Sequence, residues 1–178
     1  MKKLALFPIA VLFTAVVPVK AASNCDAVIA ATLKVLQVPA HLYMTRTAGY
    51  NGGKTKNSET IYLNGATYVR VDGPWVKSTI TPKDLADGKK QEAAQIGICT
   101  PVRDEAVNGE PATLYKVHSQ TADDSIDTQI WISKLRSLPL KQVYDLDVNA
   151  GAPGKSHNEV RYEYTGVTAP AVTEPKRK

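Results

Sequence analysis

Residues 58–71 read SETIYLNGATYVRV, two runs of strand-forming residues joined by an Asn-Gly pair. This dipeptide is the strongest short signal of a β-hairpin, because both central positions of a type I′ turn require positive φ. In the register that a two-residue turn imposes, Glu59 lies opposite Arg70, so opposite charges meet. Ile61 lies opposite Tyr68, so apolar groups meet as well. The stretch therefore predicts an antiparallel hairpin.

The C-terminal half of the chain repeats this strand pattern. A second Asn-Gly pair joins residues 99–106 to residues 111–118. Apolar and polar side chains alternate along residues 126–132, and they do so again in residues 138–146 and 159–164. Together with the first hairpin and its neighbours, these segments predict eight or nine antiparallel strands.

Two segments have helical patterns instead. Apolar residues recur at three- and four-residue steps over residues 26–36, which predicts an amphipathic helix that ends before Pro39. Thr81 and Pro82 suit the N-cap and the first turn of a second helix, and we expect it to end near Gly97. Few helices among many successive strands predict an α+β fold, one strongly curved antiparallel sheet with two main helices packed on one face.

The N-terminus has the layout of a secretory signal peptide. Lys2 and Lys3 precede an apolar run of 16 residues, and the run ends in small residues up to Ala21. The run is shorter than the roughly 20 residues that span a bilayer, so we expect export without a membrane anchor. The predicted segments are a signal peptide at 1–21, a single domain at 22–167 and a disordered basic tail at 168–178.

The charge of the mature chain gives little reason to expect nucleic-acid binding. The formal net charge of +5 falls to +2 when the three lysines of the signal peptide are removed. Without residues 174–178, the rest of the mature chain has 16 basic and 16 acidic side chains, interspersed along the sequence. The basic tail allows at most peripheral contact with an anionic membrane surface. We therefore expect a periplasmic or secreted protein, and the oligomeric state is not predicted.

Cys25 and Cys99 are the only two cysteines of the chain. An even number of cysteines in an exported protein predicts a disulfide. The two thiols are too far apart in sequence for a Cys-x-x-Cys redox motif, so a structural bond is the favoured interpretation. Residues 22–24, immediately before Cys25, lack the pattern of a lipoprotein box, which argues against lipid attachment at this cysteine.

Short motifs that would support catalysis or metal binding are incomplete. Residues 48–55 nearly match a phosphate-binding loop, but the first glycine is absent and a strand is predicted after the segment, which favours a flexible hairpin loop. His41, His118 and His157 are scattered along the chain, and the acidic residues in 123–127 lack EF-hand spacing. We therefore predict no catalytic residue, no metal and no cofactor, and a binding protein ranks above an enzyme.

Aromatic residues are the most informative feature of the predicted strands. Tyr62, for example, lies between Ile61 and Leu63, so both faces of its strand carry apolar surface. The helices can cover one face of the sheet; the other must be ordinary packing, a ligand cavity or a partner surface. The candidate ligand-binding residues are Tyr62, Tyr68, Trp75, Tyr115, Trp131, Tyr144, Tyr162 and Tyr164.

Residues 131–133 (Trp-Ile-Ser) and 138–141 (Leu-Pro-Leu-Lys) resemble a strand, turn and strand step of the LolA-like periplasmic lipoprotein carriers. The order of elements over residues 25–165 is similar to that family as well. The family more often has glycine at the position of Ser137. The resemblance implies an open half-barrel whose concave side can hold acyl chains, and no ligand-contacting residue of the family can be aligned here.

Two functions are therefore considered. The first is an exported soluble carrier or binder of a lipid-like or other hydrophobic ligand in the bacterial envelope. An apolar cavity of roughly several hundred cubic ångströms beneath the helices would favour this function, whereas a flat aromatic patch without a cavity would favour the second. The alternative is a secreted protein-protein interaction or inhibitor module, which would use exposed aromatic residues of the sheet or the loop at residues 48–57.

Overall fold

A computed structural model describes residues 25–48, 54–93, 96–120, 125–147 and 155–173. The predicted signal peptide lies outside these residues. Within them the chain forms two α-helices, one 3-10 turn and nine strands. The elements are α1 (Asp26–Lys34), the 3-10 turn (Val35–Gln37), β1 (Ala40–Ala48), β2 (Thr55–Leu63), β3 (Ala66–Val71), β4 (Val76–Lys77), α2 (Pro82–Ala93), β5 (Ile96–Val107), β6 (Glu110–Gln120), β7 (Ser125–Ser133), β8 (Pro139–Asp147) and β9 (Lys155–Glu163).

The nine strands form one sheet in the order β4-β3-β2-β1-β9-β8-β7-β6-β5. Every pairing between them is antiparallel. Neighbours in the sheet are consecutive in sequence except for β1 and β9, where Leu42 pairs with Tyr162 and joins the two halves. The sheet is open, with β4 at one edge and β5 at the other. The predicted fold class, an antiparallel sheet with two helices, is confirmed.

The first hairpin has the predicted register. Glu59 pairs with Arg70, and Ile61 pairs with Tyr68. The turn residue Asn64 has a φ of 51°, in the left-handed region that the Asn-Gly pair predicts. Arg70 also donates a hydrogen bond to the Glu59 carboxylate, so the matched charges are in contact.

The second helix begins where the sequence predicts, at Pro82, but ends at Ala93 instead of near Gly97. The difference arises because Ile96 already belongs to β5, where it pairs with Ser119 of β6. Hydrogen bonding in the sheet therefore determines this boundary, which local helical preference does not show.

The register assigns each strand side chain to one of two faces, because successive side chains point to opposite sides of a sheet. We call the side that contacts α1 the helix face and the opposite side the outer face. On the helix face α1 packs against β5, β6 and β7, and the predicted disulfide between Cys25 and Cys99 lies within this core. The buried cluster consists of Cys25, Val28, Ala31, Cys99, Val117, Ile130 and Ile132.

The turn between β7 and β8 is fixed by a polar cluster around Glu110. Arg136 Nε donates a hydrogen bond to Glu110 Oε1 at 2.9 Å, and Ser133 Oγ donates to the same oxygen. The Arg136 backbone N–H donates to Ser133 Oγ at 2.9 Å. The hydrogen bonds from Arg136 lower the pKa of Glu110 below its ordinary value, although burial opposes this shift.

Ser137, within this turn, adopts a left-handed backbone conformation with a φ of 52°. We expect Ser137→Gly to raise the free energy of unfolding by about 0.5–1 kcal/mol. Glycine adopts the left-handed conformation without the steric penalty that an L-residue has. The greater conformational freedom of glycine in the unfolded chain cancels only part of this gain. Urea unfolding would measure the change, with Ser137→Ala as a control that keeps the β-carbon and should show no gain. A less stable glycine variant would contradict this expectation.

The segment after β9, which is the central strand, runs to the β4 edge of the sheet. Val172 forms a parallel bridge with Trp75, and the Thr173 backbone N–H donates to the Trp75 carbonyl at 3.1 Å. The tail predicted from residue 168 is therefore described as far as Thr173, and residues 174–178 lie outside the described residues. No helix in the described part of the chain is long and apolar enough to cross a bilayer.

Candidate functional site on the helix face

The eight aromatic residues singled out in the sequence do not form one surface. Strand register and ring contacts place five of them on the helix face and three on the outer face. Those on the helix face are Tyr62, Tyr115, Tyr144, Tyr162 and Tyr164. Those on the outer face are Tyr68, Trp75 and Trp131. The two groups must therefore have separate roles.

Tyr115 packs against the α1 core, and the other four residues of the helix face form a group that we call the tyrosine cluster. It consists of Tyr62, Tyr144, Tyr162 and Tyr164. The rings of Tyr162 and Tyr164 are parallel, with centroids 6.4 Å apart. The strands that carry the cluster, β2, β9 and β8, lie beside the three strands that α1 covers.

Aliphatic side chains of β1 and β9 lie between these tyrosines. Leu42 pairs with Tyr162, and Met44 pairs with Val160, so all four residues are on the helix face. The sequence prediction did not include Leu42 or Met44. Their alternation with His41 and Tyr43 was the available signal, since it already places them on one side of the strand.

Burial changes the chemistry of the tyrosine hydroxyls. It is the main cause that raises the pKa of Tyr62, Tyr144 and Tyr162. The pKa of Tyr162 is raised further by its neighbours Tyr62 and Tyr144. The Tyr162 hydroxyl donates to Gln142 Oε1 at 2.9 Å, so this buried group retains a polar partner. The cluster is therefore a set of neutral, half-buried rings with polar ends, and the Arg136 guanidinium lies 4.9 Å from the centre of the Tyr164 ring.

Apolar surface continues from the cluster toward the β4 edge of the sheet. Val69 pairs with Val76 on the helix face, and Val71 pairs with Ser58 on the same face. Val71 is 62% exposed and Val76 is 39% exposed, and Ile80, just before α2, is also exposed. Exposed apolar side chains next to a half-buried aromatic group are typical of a ligand or partner surface.

On the outer face, cationic side chains cover the aromatic rings. The Arg70 guanidinium lies 5.0 Å from the centre of the Trp75 ring, and the Lys141 ammonium lies 5.6 Å from that of Trp131. Trp131 Nε1 also donates a hydrogen bond to Glu105. These two tryptophans are thus accounted for by cation–π and hydrogen-bond contacts. Tyr68 lies on this face opposite Lys77.

The structure brings all three histidines to the outer face, each beside a carboxylate. The distance from the ring nitrogen to the carboxylate oxygen is 2.8 Å in every pair. The pairs are His41 with Glu59, His118 with Asp127 and His157 with Asp145. Because the partners come from neighbouring strands, sequence spacing could not show these pairs. Among the described residues, no group of three or more histidine, cysteine or acidic side chains could hold a metal ion.

One histidine belongs to a longer chain of polar contacts. His41 Nε2 lies 2.8 Å from Glu59, and His41 Nδ1 lies 3.0 Å from the Tyr43 hydroxyl, which donates to Glu163 at 3.2 Å. The order hydroxyl, imidazole and carboxylate resembles that of an activated nucleophile. However, burial and the nearby Glu163 raise the pKa of Tyr43, so the phenol retains its proton. The arrangement does not favour a tyrosine nucleophile.

Two hollows also lie mainly on the outer face. One has a volume of about 320 Å³ and is lined by residues that include Tyr43, Glu59 and Arg161. The other has a volume of about 390 Å³, and its lining includes Lys116 and Asp127. Neither is an apolar cavity beneath the helices, the feature that would favour a carrier.

No protein-family model and no curated protein matches the chain. Solved structures that are similar to it include LprF from Mycobacterium bovis, at 12% identity over 81% of this chain and 94% of that chain, with a TM-score of 0.45. Lipoprotein LppX from Mycobacterium tuberculosis is 11% identical over 77% of this chain and 93% of that chain, with a TM-score of 0.46. A LolA superfamily protein from Nitrosomonas europaea is 7% identical over 80% of this chain and 92% of that chain, with a TM-score of 0.32.

Proposed function

We propose that this protein binds a lipid-like or other apolar ligand over the tyrosine cluster, with the helices as its cover. The desolvated cluster carries the proposal, because it places half-buried rings and aliphatic side chains beside the exposed Val71 and Val76. Each methylene that a ligand buries on such a surface contributes about 0.8 kcal/mol. Binding therefore strengthens with the number of methylenes that the ligand buries on this surface.

The place of action that we propose is the bacterial envelope, in the periplasm or outside the cell. The support is the signal peptide predicted at residues 1–21. The disulfide between Cys25 and Cys99 suits an oxidising compartment. We propose binding or transport of the ligand without a catalytic step.

Ligand binding to purified protein tests the proposal. We expect organic extraction of protein from cells, or native mass spectrometry, to yield a bound lipid. Added dodecyl alcohol should raise the melting temperature of protein from which lipid has been removed. Met44→Gln should abolish most of this rise, because it puts a polar amide of similar size on the helix face.

A control variant is available at the next position. Thr45 is exposed on the outer face, so Thr45→Gln should keep the ligand-induced rise in melting temperature. If the wild-type protein carries no lipid and dodecyl alcohol leaves its melting temperature unchanged, the proposed function is wrong. An equal reduction of the ligand-induced rise in melting temperature in both variants would show that the helix face around Met44 is not the binding surface.

A second candidate function uses the outer face. The hollow lined by Tyr43, Glu59 and Arg161 has both charges and an aromatic ring, which suits a polar segment of a protein partner better than an acyl chain. This candidate predicts that Arg161→Ala weakens partner binding while lipid binding is unaffected. The tyrosine cluster favours the first function, since the second gives no reason for desolvated tyrosines on the helix face.

A further inference from the structure

Thr67 has a buried hydroxyl without a hydrogen-bond partner. Among the described residues, its Oγ1 is the buried side-chain polar atom for which no partner is found. The residue is only 3% exposed. It lies on β3 and pairs with Tyr62, so it is on the helix face directly beside the tyrosine cluster.

Other buried polar side chains are satisfied. Asn158 donates hydrogen bonds to the Ser156 carbonyl and hydroxyl, and Ser133 Oγ donates to Glu110. A buried hydroxyl without a partner loses its hydration and gains no hydrogen bond in return, whereas valine has the same shape and would avoid this cost. A threonine at position 67 thus has an energetic disadvantage in the ligand-free protein, which a polar ligand atom would remove.

The surroundings of Thr67 restrict what that ligand atom can be. Tyr62 is opposite it, Val69 follows it on the same face, and its own carbonyl accepts a hydrogen bond from the Ser78 backbone N–H at 2.8 Å. These neighbours carry no charge. A charged group buried here would lose its hydration without gaining a counter-ion from these neighbours, so a neutral group is favoured.

We propose that the ligand is a neutral amphiphile, such as a long-chain alcohol or ester, whose polar group hydrogen-bonds to Thr67 Oγ1. Its apolar chain extends diagonally from Tyr62 of β2 to Leu42 of β1, and on to Tyr162 of β9, which pairs with Leu42. This inference rests on the proposed function, because it names the class of ligand that the tyrosine cluster takes.

Paired probes with and without the polar group test this inference. Dodecyl alcohol and dodecane have chains of the same length, and each can be measured by displacement of a fluorescent apolar dye from the full mature protein. We expect the wild type to prefer the alcohol. Thr67→Val should reduce this preference about five- to tenfold, as expected from the loss of one hydrogen bond. Thr67→Ser should retain it.

The control is Thr60→Val, a half-buried threonine of the same face in β2, which should leave the preference unchanged. Thr67→Val should melt at the same temperature as the ligand-free wild type or higher, which separates a loss of recognition from a loss of folding. The inference fails, while the proposed function stands, if the wild type binds both probes and Thr67→Val still prefers the alcohol. The same conclusion follows if Thr67→Ser loses this preference. If neither probe binds the wild type, the proposed function fails.

Discussion

Replacing both cysteines, Cys25→Ala with Cys99→Ala, is expected to lower the free energy of unfolding by roughly 4 kcal/mol. The bond closes a loop of sequence separation 74, and a cross-link of that span removes about this much conformational freedom from the unfolded chain. The sulfur atoms also lie within the buried core between α1 and β5, so small cavities add to the loss. A change of this size is a large part of the stability of one domain.

Urea unfolding measures this loss, and reductant provides its control. Wild-type protein in dithiothreitol should lose a similar free energy, while the double variant should be insensitive to the reductant. Cys25→Ala alone should behave like the double variant, because the bond is absent in both. A loss below about 1 kcal/mol in all three would show that α1 is held by packing alone and that the cross-link adds little.

Local features of the sequence were sufficient to predict the hairpins. The Asn-Gly pairs determine the turns, and the match of Glu59 with Arg70 determines the register, since both depend on residues that are close in the chain. The end of α2 was predicted too late because the pairing of Ile96 with β6 depends on residues more than 20 positions away. Local propensity carries no information about such a partner.

The distribution of the aromatic residues between the helix face and the outer face was harder to predict, because it also depends on residues far apart in the chain. Alternation shows that Tyr62 and Ile61 lie on opposite sides of one strand, but it does not relate them to Trp131 on another strand. That relation requires the pairing of β1 with β9, which joins the two halves of the sheet. The histidine-carboxylate pairs and the buried hydroxyl of Thr67 likewise become visible only when strands are placed side by side.

A truncation in the α1 core and a truncation in the tyrosine cluster should have opposite consequences. Ile130 is 1% exposed and lies in the α1 core. Ile130→Ala is therefore expected to lower the free energy of unfolding by about 3 kcal/mol, because it leaves a cavity that the neighbours cannot close. The affinity of the folded protein for dodecyl alcohol should change little, because Ile130 is not part of the tyrosine cluster.

Leu42→Ala should lower the stability little but weaken ligand binding strongly. Leu42 is only half-buried and pairs with Tyr162 in the middle of the cluster, so truncation should cost about 1 kcal/mol of stability. If the ligand packs against this side chain, the lost contact of about 1.5–3 kcal/mol weakens binding at least tenfold. Val143→Ala, a half-buried truncation on the outer face, is the control and should leave binding unchanged. Equal affinities in Leu42→Ala and Val143→Ala would contradict binding over the centre of the tyrosine cluster, because the proposed apolar chain crosses β1 at Leu42.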